Sequence, residues 1–216
     1  MKKLFLCVTI VLLLSGCALF ETSHEMEKNA QELVSDASSA FVAGDYKTAV
    51  KAYTDLKDWY PFSKYASLAE LKIADAHFLL GEYDEALLAY EDFEKMHPKN
   101  EAIPYVIYRM GLCWFNQLDS IDRDHTPAKN SLTQFYRLMD QFPRNEYSEK
   151  AKENIQACID NLSGHELYVA NFYMKQKQYA AALKRYEYLV ETYPDSKESK
   201  EAQAKIPRCR ELADKN

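Results

Sequence analysis

The chain has little of what catalysis or nucleic-acid binding would require. Its 216 residues include only 5 glycines, and none forms a phosphate-binding loop or the Gly-x-Ser-x-Gly turn of a serine hydrolase. The 5 histidines are scattered without a His-Glu-x-x-His motif, so no metal site is predicted. A net charge of −6 leaves no basic surface of the kind that binds nucleic acid. We expect no enzyme activity, no cofactor and no nucleic-acid partner.

Cysteine is also scarce, and its placement argues against a disulfide framework. Of the 5 cysteines, Cys7 lies in the apolar N-terminus and Cys17 directly follows it. The other three, Cys113, Cys158 and Cys209, are an odd number and fall in helical stretches, so they allow at most one disulfide. We interpret them first as small buried apolar residues.

The one long hydrophobic run is at the N-terminus. Lys2 and Lys3 precede apolar residues 4–14, which are too few to span a membrane as a mature helix. A basic start, a short apolar stretch and small residues after it predict a secretory signal over residues 1–16.

Cys17 stands directly after Leu14-Ser15-Gly16, an arrangement that resembles a bacterial lipoprotein signal. The resemblance implies that Cys17 becomes the first mature residue, carries lipid, and is followed by a tether to residue 23. Ala18, rather than Asp, implies sorting to the outer membrane. The alternative is an ordinary secretory signal with an incidental cysteine. Two or more acyl chains would anchor the chain stably, whereas one would not.

A cassette of aromatic and small residues recurs three times. The copies are Tyr46, Ala49, Tyr53 and Pro61; Tyr83, Ala86, Tyr90 and Pro98; and Tyr179, Ala182, Tyr186 and Pro194. Steps of three and four place the first three residues on one helical face, and the proline ends the helix. Ala37, Ala74 and Ala170 each lie nine positions before the first cassette tyrosine. This is the tetratricopeptide pattern, whose stacked helical hairpins bind polypeptides.

The fold class predicted is therefore all-α, a tetratricopeptide solenoid of about ten helices in five hairpins. The expected helices are 24–43, 46–59, 63–80, 83–96, 102–118, 127–141, 146–162, 164–177, 179–192 and 196–213. No low-complexity tract divides residues 24–216, so one domain is expected. The long interval from Pro143 to Pro194 is what leaves room for the extra helix over 164–177.

Several segments together resemble the BamD family, the tetratricopeptide lipoproteins of the outer-membrane β-barrel assembly machine. They are Trp59-Tyr60-Pro61-Phe62-Ser63-Lys64-Tyr65-Ala66, Pro104-Tyr105-Val106 with Tyr108 and Gly111, Asp122-Arg123-Asp124, His165 to Tyr173, and Tyr179 to Arg185. The resemblance covers nearly all of the mature chain, in order. The chain stops soon after its last predicted helix, which puts in doubt any contact that a longer C-terminal tail would make.

The resemblance implies an adaptor with two binding halves. Residues 24–98 would receive unfolded outer-membrane proteins through Tyr60, Phe62, Lys64 and Tyr65. Residues 99–216 would dock the POTRA domain of BamA through Arg185 and Asp122-Arg123-Asp124, with other Bam lipoproteins as further partners. Aromatic faces beside a lysine suit a peptide that ends in an aromatic residue and a carboxylate.

Alternative interpretations remain open from the residues alone. Tyr60 and Phe62 would equally well cover the first inter-repeat core, and Arg185 would equally be a solvated side chain. Asp122 and Asp124 are expected to belong to a capping or ion-pairing loop rather than to acid–base catalysis. The alternative function is a tetratricopeptide lipoprotein scaffold for another envelope machine, such as pilus secretin assembly or cell division. A cell-wall lytic enzyme would need a catalytic domain for which no residues remain.

Overall fold

The computed structural model describes residues 28–215, and every regular element in that range is an α-helix. In chain order these are α1 (Ala30–Val42), α2 (Tyr46–Trp59), α3 (Ala66–Leu80), α4 (Tyr83–Met96), α5 (Ile103–Phe115), α6 (Thr126–Gln141), α7 (Glu146–Lys175), α8 (Tyr179–Thr192) and α9 (Lys197–Ala213). Each helix packs against the next, as in a solenoid of antiparallel hairpins. The all-α prediction is confirmed. The predicted signal, Cys17, the tether and His24 lie outside the described residues.

The predicted proline stops are confirmed at the ends of α2, α4 and α8, and α6 ends in the same way before Pro143. Helices α2, α4, α6 and α8 each end two residues before a proline, at Trp59, Met96, Gln141 and Thr192. The four residues between share one backbone conformation, with φ between −126° and −134° and ψ between 52° and 57°. A proline ring clashes with a preceding residue in the α region, so the helix cannot continue.

The hairpin corners depend on left-handed backbone. Gly44 and Gly81 have φ of 80° and 78°, which an L side chain rarely adopts. The third cassette has Lys177 at the equivalent position, with φ of 60°. In the first two hairpins the corner is closed by edge-to-face ring pairs at 5.4 Å, Phe41 with Tyr46 and Phe78 with Tyr83.

The cassette residues form the core, as their spacing predicts. The cassette alanines and second tyrosines are buried, and so are the upstream alanines. Each buried tyrosine hydroxyl is hydrogen-bonded fifteen positions upstream, beside the upstream alanine. The pairs are Tyr53 with Ser38 at 3.0 Å, Tyr90 with Asp75 at 2.7 Å, and Tyr186 with Asn171 at 2.7 Å. Because a buried hydroxyl without a partner is costly, this residue completes each repeat.

The prediction of two helices over 146–162 and 164–177 is wrong. They form the single 30-residue helix α7, so residues 28–215 contain nine helices rather than ten. A glycine inside a helix costs about 1 kcal/mol relative to alanine but does not remove a hydrogen bond as proline does. Gly164 is covered by Ile121 of the α5–α6 loop. Helix α7 thus extends from the central hydrophobic cluster, at Leu162, to the C-terminal one, at Ala170.

Candidate functional site

A pocket opens between the first two repeats. Its volume is about 550 Å³, and it lies between the end of α2, the following turn, and helices α3 and α4. Phe93 and Ile73 form its apolar floor, and Pro61, Phe62 and Met96 lie at its rim. An apolar pocket of this size accommodates one or two large side chains of a peptide.

The pocket carries both charge signs, with acidic groups in excess. Lys57 and Asp58 lie 4.0 Å apart at one side, and Asp92 and Glu70 complete the charged lining. The Glu70 carboxylate is hydrogen-bonded to His97 Nε2 in the turn after α4. A bound peptide would therefore find a cation at Lys57 and carboxylates elsewhere in the lining.

The structure separates the four predicted client-binding residues into two groups. Phe62 is fully exposed and lines the pocket, and Lys64 is exposed beside it in the turn. Tyr60 and Tyr65 are half-buried against the N-terminal hydrophobic cluster. The Tyr60 hydroxyl donates to the Lys28 carbonyl oxygen at 3.0 Å, and Lys64 Nζ lies 5.0 Å above the Tyr65 ring. The tyrosines thus cover the core, and Phe62 does not.

Arg185, the predicted BamA contact, lies in an ion pair between helices α7 and α8. Its Nη1 donates to Glu166 Oε2 at 3.0 Å. The Glu166 side chain is only 11% exposed, whereas that of Arg185 is 44% exposed. The guanidinium therefore neutralises a buried carboxylate on one side and faces solvent on the other.

The Asp122-Arg123-Asp124 segment forms a capping loop. Asp122 accepts from Ser120 Oγ at 2.6 Å, and Arg123 pairs with Asp119 at 3.1 Å. Asp124 Oδ1 accepts from the backbone N–H and hydroxyl of Thr126, the first residue of α6. These hydrogen bonds lower the pKa of both aspartates from the ordinary value. The acidic side chains therefore stay ionised on an exposed loop.

The loop is fixed against the middle of α7. Asn161 Nδ2 donates to the Asp119 carbonyl oxygen at 2.9 Å, and His165 Nδ1 donates to that of Ile121 at 2.7 Å. His165 is the neighbour of Glu166, so successive residues of α7 contact the loop and Arg185. The structure brings the two predicted BamA-docking elements to one stretch of this helix.

Sequence reasoning missed two parts of these surfaces. Ile73 and Phe93 of the pocket follow the core periodicity of their helices, which gives no signal that a cavity opens above them. Glu166 lies within a family segment that gives no signal of a partner, and its pairing with Arg185 depends on how α7 crosses α8.

Within residues 28–215 no group of three or more potential ligands is placed to hold a metal ion. In the same range no helix is both long and apolar enough to cross a membrane. Cys113, Cys158 and Cys209 are free and buried, as expected for small apolar residues.

Residues 26–212 match the family described as YfiO, outer membrane lipoprotein. The outer membrane protein assembly factor BamD of Neisseria meningitidis serogroup B is 30% identical over 233 aligned positions, covering 100% of this chain and 86% of its own. The BamD of Vibrio cholerae is 28% identical, covering 79% of this chain and 75% of its own. These BamD proteins are relatives of the chain, and the chain belongs to the YfiO family of outer membrane lipoproteins.

Proposed function

We propose that the protein is a lipid-anchored subunit of the outer-membrane β-barrel assembly complex. It acts as a non-enzymatic adaptor that binds BamA and helps to recognise and insert β-barrel proteins. The observation that carries the proposal is the family match over residues 26–212, together with relatives named as assembly factors. Purification of the tagged protein from membranes tests it. BamA should co-purify, and recovery of a secretin or a division protein instead would contradict the proposal.

The proposed anchor is lipid on Cys17 at the periplasmic face of the outer membrane. The Leu14-Ser15-Gly16-Cys17 sequence and the lipoprotein family support it. The expected result of Cys17→Ser is loss of palmitate labelling and release of the folded chain from the membrane fraction. A Cys17→Ser chain that still sediments with outer membranes would contradict this anchor.

The C-terminal half is proposed to bind BamA through the exposed side of Arg185. An arginine can engage a carboxylate through two hydrogen bonds, so a partner carboxylate would approach the part of the guanidinium opposite Glu166. We expect Arg185→Ala to weaken binding of the isolated BamA POTRA region by about tenfold or more, equivalent to about 1.4 kcal/mol. Titration calorimetry measures the affinity, and circular dichroism measures helix content.

Arg210 provides a matched control. It pairs with Glu187 across the α8–α9 contact at 2.7 Å, in an interhelical ion pair that is more exposed than that of Arg185 with Glu166. Arg210→Ala should leave BamA affinity unchanged. Arg185→Ala removes the proposed BamA contact and also leaves the buried Glu166 carboxylate unpaired. The variant Glu166→Gln, which retains Arg185, separates loss of the contact from loss of the ion pair. The docking role of Arg185 fails if Arg185→Ala/Glu166→Gln binds the POTRA region normally.

The N-terminal half is proposed to bind the aromatic C-terminus of an unfolded β-barrel protein in the pocket beside Phe62. An aromatic side chain would fill the space above Ile73 and Phe93, while Lys64 and Lys57 attract the terminal carboxylate. We expect Phe62→Ser and Lys64→Glu each to weaken a labelled peptide ending in phenylalanine, as measured by fluorescence anisotropy. Asp92→Asn should strengthen it, since a repulsive carboxylate is removed from the lining.

Leu88 supplies the control for this pocket. Its side chain is 61% exposed on α4, but it is not part of the lining. Leu88→Ser should leave peptide affinity unaltered. Equal losses for Leu88→Ser and Phe62→Ser would mean that the peptide binds by general hydrophobicity and not in this pocket.

A further inference from the structure

The ends of α2 and α4 and the turn after α2 carry large apolar side chains that are mostly exposed within residues 28–215. Trp59 is 57% exposed, Phe62 100% and Met96 64%. Because successive helices run antiparallel, both helix ends lie at the same end of the solenoid as the start of α1. We call Trp59, Phe62 and Met96 the apolar edge. Exposed apolar groups gathered in this way mark a contact surface.

The N-terminus of the described chain lies at this edge. The Tyr60 hydroxyl donates a hydrogen bond to the Lys28 carbonyl oxygen at 3.0 Å. Tyr60 directly follows Trp59 and lies two positions before Phe62. Eleven positions separate Lys28 from Cys17. Such a segment reaches at most about 40 Å even when fully extended. A lipid on Cys17 would therefore keep Lys28, and the apolar edge beside it, within about 40 Å of the bilayer.

Charge is divided between the two ends of the N-terminal repeats. Two segments contain the residues of the apolar edge, 57–65 and 95–102. Their charged residues are Lys57, Lys64, Lys95 and Lys99 against Asp58 and Glu101. The opposite corners and loop contain Asp45, Glu82, Asp84, Glu85, Asp119, Asp122 and Asp124 against Lys47, Arg123 and Lys129. By these turn segments, this end of the N-terminal repeats is more basic than the opposite end, and the carboxylates Asp58, Glu70 and Asp92 line the pocket beside Phe62. Lysines beside a membrane surface attract anionic headgroups.

We infer that the apolar edge rests on the lipid surface of the anchoring membrane, with Trp59, Phe62 and Met96 at headgroup level. Tryptophan is enriched at this depth because its ring has an apolar body and a polar N–H. This inference rests on the lipid anchor of the proposed function. The pocket between the first repeats would then open beside the bilayer, so a client would be received where it is inserted.

The two tryptophans of the chain allow a direct test. Trp114→Phe leaves Trp59 as the sole reporter, and Trp59→Phe leaves Trp114, which packs against the central hydrophobic cluster. Each lipidated protein is reconstituted in vesicles of phosphatidylethanolamine and phosphatidylglycerol, with and without brominated acyl chains. We expect the Trp59 emission to shift to shorter wavelength and to be quenched by the bromolipid, and Trp114 emission to be unaffected.

Two further variants place the contact at the edge. Phe62→Ser/Met96→Ser should reduce the quenching of Trp59, whereas Val42→Ser, 87% exposed at the opposite end, should not. Flotation of the vesicles reports the anchor separately. A chain that does not float overturns both the anchor and this inference. A chain that floats while bromolipid leaves Trp59 unquenched overturns this inference alone, as does a Trp59 shift produced only by client peptide.

Discussion

At the scale of single residues, Gly111 sets how closely α5 and α6 approach. A Cβ atom at this position would lie 2.4 Å from the Phe135 ring, which is itself fully buried. The ring cannot move without disturbing the central cluster, so we expect Gly111→Ala to lower the free energy of unfolding by about 1–3 kcal/mol. Urea denaturation followed by circular dichroism measures the change.

Gly164 is the matched control, since it too lies inside a helix. A Cβ atom there would meet Ile121 Cγ2 at 3.2 Å, and Ile121 is 41% exposed and able to shift. Alanine is favoured over glycine in a helix by about 1 kcal/mol. Gly164→Ala should therefore be neutral or stabilising by up to that amount. If both alanine variants are equally stable, packing at Gly111 is not what fixes the α5–α6 distance.

At the scale of helices, α7 joins the central and C-terminal hydrophobic clusters. A proline in its interior removes one hydrogen bond and clashes with the preceding turn, at a cost of about 3 kcal/mol or more. Gly164→Pro should therefore uncouple α8 and α9, so that urea unfolding shows two transitions where the parent shows one. In a solenoid, each unit is stabilised mainly by its neighbours. A single transition at the parent midpoint would show that α7 does not couple the two clusters.

At the scale of the whole molecule, tyrosines that are buried or half-buried make the fold sensitive to alkali. Burial, with Cys209 and Glu201 nearby, raises the pKa of Tyr186 to about 12. Burial together with Tyr188, Glu166 and Tyr136 raises the pKa of Tyr193 to about 12. An unfolded tyrosine ionises near its pKa of about 10. Above that pH an unfolded tyrosine loses the proton that the folded one keeps. The stability contributed by these two hydroxyls is therefore fully present below pH about 10 and is lost as the pH rises toward 12.

The measurement is urea unfolding at a series of pH values between about 8 and 11, which bracket the free tyrosine pKa. Tyr186→Phe keeps the ring and removes the ionising hydroxyl with its hydrogen bond to Asn171. The variant should be less stable than the parent at neutral pH but should lose less stability on alkalinisation. The same slope in both proteins would exclude Tyr186 as a source of the pH dependence.

Local chemistry explains why much of the fold was predictable. The prolines after α2, α4 and α8 restrict the backbone of the residue before them. Gly44 and Gly81 adopt the left-handed backbone conformation without help from tertiary contacts. Gly164 shows the limit of such reasoning, because a helical glycine is a break or a packing point depending on what covers it. Ile121 covers it from a distant loop.

The candidate surfaces were only partly predictable, for the same physical reason. The family segments point to Phe62 and Arg185, but sequence spacing does not distinguish Phe62, which is exposed, from Tyr60, which covers the core. Neither the Arg185–Glu166 pair nor the pocket floor follows from periodicity, since both arise where two helices cross.

The sequence by itself determined the repeat, its helical face and its chain stops, because these depend on spacings of three and four and on backbone chemistry within a turn. Only the tertiary structure decided that α7 is continuous and that Arg185 neutralises Glu166. It also decided that lysines and the exposed side chains of Trp59, Phe62 and Met96 lie at one end of the N-terminal repeats. Those features depend on which residues meet across antiparallel helices, and that register is set by packing of the whole solenoid.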